Sequence, residues 1–121
     1  MNNNKIVYIC SPMRGDTERN LKRARAYVDY ALKQGYTPIA PHVMYAGILD
    51  DENHAEREMA MKAGAALLEV CQKLWVCGPE ISEGMAAEIE LVQKNGIMTK
   101  MVTERDLMAA GIEPDGGWGA W

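Results

Sequence analysis

The chain has 121 residues, which allows one compact domain and excludes a second core of ordinary size. Hydrophobic residues at 48% and charged residues at 25% match soluble globular domains and exclude disordered or collagenous compositions. A net charge of −4 argues against a broad surface for a nucleic-acid polymer or an anionic membrane, so an anionic ligand must be held by a local site.

The polar stretch Met1–Lys5 lacks the apolar run of a signal peptide, and no segment approaches the ~20 apolar residues of a membrane span, which predicts a cytoplasmic protein. Lys5–Cys10 (KIVYIC) is short, apolar and β-branched and stops at Ser11-Pro12, the pattern of a buried strand. From Glu18 to Gln34 the positions Leu21, Ala24, Val28, Ala31 and Leu32 recur at helical spacing, with Gly35 as the stop. Tyr36–Ala40 reads as a second strand ended by Pro41, and His42–Asn53 as a long loop without periodicity. Asn53 is the expected N-cap of a second helix whose apolar stripe is Ala55, Met59, Ala63, Ala66, Leu67 and Val70.

Lys73–Cys77 (KLWVC) is the third strand, with Trp75 in the core. After the break at Gly78–Gly84, Met85, Ile89 and Val92 mark a third helix closed by Asn95-Gly96. Ile97–Val102 is a fourth strand, and Glu104–Ala110 a last short helix before Gly111. The domain is expected to span 1–111, followed by a tail, 112–121, that carries Trp118 and Trp121. Alternating strands and helices predict an α/β, Rossmann-like (flavodoxin-like) three-layer sandwich with a mostly parallel sheet of four to five strands. Ligands of such folds bind where strand carboxyl ends meet helix amino ends. Ser11–Asp16, His42–Asn53 and Gly78–Glu88 converge there.

Three cysteines, Cys10, Cys71 and Cys77, are odd in number and lack CxxC spacing, so they read as small core residues. The two histidines, His42 and His54, have no paired ligands, and no metal is expected. Ser11, Arg14 and Gly15 ahead of a helix offer a hydroxyl, a guanidinium and an open amide, a set suited to phosphate. Ser82 is a natural N-cap of the third helix. Glu90 is accounted for by a solvent-facing position four residues before Lys94, whereas Glu88 shares its face with Gly84, Leu91 and Val92. A carboxylate there, within two turns of a helix start, is out of place as packing and suited to a nucleophile or a stabiliser of positive charge.

The segments Val7-Tyr8-Ile9-Cys10-Ser11-Pro12-Met13-Arg14-Gly15 and Ser82-Glu83-Gly84-Met85-Ala86-Ala87-Glu88-Ile89 together resemble the nucleoside 2-deoxyribosyltransferase-like superfamily. Within it they look most similar to 2′-deoxynucleoside 5′-monophosphate N-glycosidases and to short bacterial and phage relatives. The resemblance implies cleavage or transfer of an N-glycosidic bond, with Glu88 as the nucleophile and no cofactor. It further implies a substrate site of Tyr8 near the sugar, Ser11, Arg14 and Gly15 in the loop that holds the nucleotide, Ser82 near the 5′-phosphate, His42 near the base, and Gly84 among the substrate-binding residues. The partner is a small nucleotide, and the assembly a homodimer.

The family's second acid falls, by this resemblance, just before the third strand, at Gln72, with Glu69, Asp16 or Glu83 as substitutes. Because stabilisation of an oxocarbenium-like transition state draws on two acids, Gln72 favours an alternative function, a nucleotide-binding protein of the same fold without turnover. A third reading is an interaction subunit that uses the Trp tail.

Overall fold

The computed structural model describes residues 5–12, 17–50, 52–78 and 81–114. Its elements are β1 (Lys5–Cys10), α1 (Thr17–Lys33), β2 (Tyr36–Ile39), α2 (Pro41–Tyr45), α3 (His54–Leu68), β3 (Lys73–Cys77), α4 (Glu83–Lys94), β4 (Met98–Val102) and α5 (Glu104–Ala109). The described strands form one parallel sheet in the order β2-β1-β3-β4. This is the expected α/β sandwich, with the sheet at the smaller of the two predicted sizes.

Side-chain alternation along the two central strands builds both cores. Val7 and Ile9 of β1 join Trp75 and Cys77 of β3 against Ala26, Tyr27, Tyr30 and Ala31 of α1 and Leu107 of α5. Tyr8 and Cys10, with Leu74 and Val76, face the other way, against Leu68 of α3 and Met85 and Val92 of α4. Because both faces are covered, β1 and β3 read as continuous apolar runs. Trp75 is core, as expected, and Ile112 is buried in the first of these clusters. Trp118 and Trp121 lie outside the described residues. Gly35, at φ 86°, lets the chain leave α1 in a left-handed conformation that other residues adopt at a cost, the stop predicted there. Among the described residues no helix is long and apolar enough to cross a membrane.

Two expectations are corrected. The region read as a loop opens with the short helix α2, because Pro41, which ends β2, also supplies the fixed φ suited to a first helical position. Five residues carry too little sequence for a period to show. In α3 the N-cap at Asn53 is as predicted, its side chain accepting from the Glu56 amide, but the fully buried positions are Gly64 and Leu68, and of the predicted stripe Leu67 packs, partly buried, against the core. Met59 and Val70 of that stripe are 57% and 58% exposed. Alanine and methionine surround this helix on nearly every side, so apolar spacing cannot select a face; the absence of a side chain at Gly64 does.

The buried thiols and phenols give the fold an alkaline limit. Burial pushes the Cys71 thiol from 9.0 up to about 11, and moves Cys77 and Tyr27 upward as well. The unfolded chain releases these protons first and so binds fewer of them above its own value. The contribution is therefore whole below about pH 9 and declines as pH rises toward 11. Tm is expected to fall between those two values in a melting series, and Cys71→Ala to flatten the decline; a Tm independent of pH there would contradict the assignment.

Candidate active site

The carboxyl ends of β1 and β3 lie side by side at the centre of the sheet. From β1 the chain crosses to β2 on one side, and from β3 to β4 on the other. The connections leave in opposite directions, which opens a crevice between them, the usual ligand position in such sheets. The loops after the two strands touch there: a Cβ on Gly78 would stand 3.7 Å from Cδ of Pro12.

Alternation puts Tyr8 and Cys10 on the same face of β1, toward α3 and α4. Helix α4 begins at a capping interaction in which Ser82 Oγ accepts the Met85 amide at 3.2 Å. Met85, 2% exposed, anchors the first turn on the sheet, and one turn later Glu88 enters the same layer. The Tyr8 hydroxyl donates to Glu88 Oε2, and the Cys10 thiol donates to Glu88 Oε1 at 3.3 Å. Both carboxylate oxygens are thus held by donors from a single central strand.

Tyr8 and Cys10 are themselves held protonated. Burial raises the Tyr8 phenol far above its ordinary range, and the Glu88 charge and hydrogen bond add to the shift. The same causes in the same order raise the Cys10 thiol. Each therefore acts as a donor to Glu88 at any physiological pH. Helix α3 closes the third side. A Cβ on Gly64 would stand 3.0 Å from Tyr8 Oη and 3.6 Å from Glu88 Oε2, so a glycine lets the helix backbone pack against the pair.

Tyr8 and Glu88 are the predicted site residues that the fold brings into contact. Ser11 lies at the same edge, 2% exposed, and its buried Oγ has no hydrogen-bond partner among the described residues. Ser82 is exposed and its hydroxyl caps α4, while Gly84 sits in the first turn of that helix. His42 lies half-buried on α2, and the hydrogen bonds of Glu88 among the described residues run to Tyr8 and Cys10, not to it. Arg14 and Gly15 fall outside the described residues.

Gln72 requires correction. It is exposed at the amino end of β3, where its backbone N–H donates to Ile6 O at 3.1 Å. The Cys10 partner on β3 is Val76, four residues on. Gln72 is therefore roughly 13 Å along the strand from the level of the site, at 3.3 Å per residue. Glu69, the C-cap of α3, is at the same remote edge. Asp16 and the Glu83 side chain lie outside what the structure describes. Neither Gln72 nor Glu69 supplies or replaces an acid beside Glu88.

Sequence reasoning missed Cys10, read only as core, and Gly64. The signal for Cys10 was its place two residues after Tyr8, on the same face of a strand; that for Gly64 was a glycine inside a helix, which costs about 1 kcal/mol against alanine unless packing requires it. Among the described residues no three His, Cys, Asp or Glu side chains group closely enough to hold a metal ion.

A family model described as "Domain of unknown function (DUF7768)" matches residues 5–102. No curated protein sequence matches the chain significantly. Among solved structures, the 2-deoxyribosyltransferase of the psychrotolerant bacterium Bacillus psychrosaccharolyticus is similar, with a TM-score of 0.66 at 15% identity. The match covers 82% of this chain and 72% of that one, and it is a likeness of fold.

Proposed function

We propose that this chain, which belongs to the DUF7768 family, cleaves or transfers the N-glycosidic bond of a deoxynucleoside 5′-monophosphate, with Glu88 as nucleophile. The observation that carries the reading is a carboxylate at the ligand-binding edge of the sheet with both oxygens held by donors that do not ionise. The fold it shares with a 2-deoxyribosyltransferase supports the substrate class. In the reaction a Glu88 oxygen forms a bond to C1′ as the bond from C1′ to the base breaks. The electron pair leaves with the base, which takes a proton from solvent. Water, or a second base, then bonds to C1′ as the bond from C1′ to Glu88 breaks, gives up a proton to solvent and restores the carboxylate. The step as written draws on no metal or organic cofactor.

The buried Ser11 hydroxyl, without a hydrogen-bond partner among the described residues, supports capture of the 5′-phosphate at this edge, together with the amides at the start of α4; Arg14 and Gly15, expected from the sequence to join them, lie outside the described residues. Gly84, in that first turn, is assigned to the substrate site, and His42 to the side of the base. A second reading, binding without turnover, is favoured by one observation: among the described residues the groups bonded to Glu88 are a phenol and a thiol, with no second carboxylate.

Chromatography of the protein incubated with deoxynucleosides, their 5′-monophosphates and ribonucleotides separates the two readings. Free base released from deoxynucleoside monophosphates in preference to the other substrates is the expected result. A monophosphate retained unaltered, with no base released from any substrate, would establish the binding reading instead.

A further inference from the structure

We infer that Cys10 is a positioning residue for Glu88, its thiol fixing the carboxylate plane that Tyr8 alone leaves free to turn; the inference rests on the assignment of Glu88 as nucleophile. A glutamate side chain has three rotatable bonds, and one hydrogen bond to Oε2 leaves its carboxylate able to swing about that contact. A second donor on Oε1 removes this freedom. Cys10 supplies it from the same rigid strand, two residues beyond Tyr8 and on the same face. The residue is 0% exposed, so neither water nor solute competes for the thiol.

The other acceptor within reach among the described residues is the Met85 carbonyl, at 3.9 Å against 3.3 Å for Glu88 Oε1. The nearer acceptor carries the charge, so the S–H points at the carboxylate. A thiol is a weak donor, which suits a positioning role, because it sets direction and withdraws less charge from Oε1 than a hydroxyl or an amide would. Burial and the Glu88 charge keep the thiol protonated, which agrees with a donor role.

Two measurements test this. In steady-state base release, Cys10→Ala is expected to lower kcat about tenfold with KM within about twofold, and Cys10→Ser, which keeps a donor, to stay within about threefold of the wild type. An unchanged kcat in Cys10→Ala, or Cys10→Ser as impaired as Cys10→Ala, would overturn the inference, since a space-filling role would follow volume rather than the donor. The second measurement needs no turnover. The Cys10 S–H stretching band, assigned by its loss in Cys10→Ala, is expected at lower wavenumber in the wild type than in Glu88→Gln, where the acceptor is neutral. Identical band positions would overturn the positioning role. Absence of base release with a shifted band would instead remove the glycosidase reading and leave the Cys10–Glu88 contact standing.

Discussion

If Glu88 is the nucleophile proposed above, Glu88→Gln is expected to lower base release by about a thousandfold or more, the scale on which loss of an enzyme's nucleophile is felt. The substitution keeps the shape of the side chain and an oxygen that accepts from Tyr8, so the fold is expected to persist and Tm to move by only a few degrees. What is lost, on the proposed reading, is the carboxylate oxygen that bonds to C1′. Because stability and turnover separate in this variant, a melting curve beside the base-release assay reads the chemistry directly. Retention of turnover within tenfold of the wild type would mean that another group forms the bond to the sugar. It would leave Glu88 as a stabiliser of positive charge at most.

Gly64 is the second position where a small change has a large effect. A methyl group there meets Tyr8 Oη at 3.0 Å, tighter than nearly all Cβ contacts, and lies 3.6 Å from Glu88 Oε2. In Gly64→Ala the gain in helix propensity, about 1 kcal/mol, offsets much of the crowding. Tm is therefore expected to stay close to that of the wild type, while turnover falls as Tyr8 is pushed from the carboxylate it holds. In Gly64→Val two further methyl groups have no such offset. Overpacking of about 1–3 kcal/mol predicts a Tm lower by roughly 5–15 °C and loss of most activity. Full activity together with a raised Tm in Gly64→Ala would show that α3 stands clear of Tyr8 and plays no part in shaping the site.

The parts legible in the sequence were those that carry their own period. β1 and β3 declare themselves as unbroken apolar runs because both of their faces are covered, and α1 and α4 by spacing and by the glycines that follow them. Glu88 could be found because a carboxylate broke an otherwise apolar stripe. The face of α3 could not be found, since small apolar residues surround it and the choice is made by the helix's fit against Tyr8. Cys10 was visible as a buried residue but not as a partner of Glu88, because that pairing exists only once α4 has been laid on the sheet. The error at Gln72 is of a related kind: nearness to β3 in the chain does not mean nearness to the site, because the strand runs away from Gln72 before reaching it.

The central pairing of β1 with β3 also governs when the site comes into being. Tyr8 and Glu88 are separated by 80 positions in the chain, and β1 meets β2 before β3 has been made. On a ribosome adding 5–20 residues per second, Tyr8 waits roughly 4–16 s for its carboxylate to be synthesised. During that interval the face of β1 that carries Tyr8 and Cys10 lacks β3 beside it and α4 above it, and it is a hydrophobic edge open to other chains. The strand that holds Glu88 in the finished protein is thus the one most in need of protection while the protein is being made.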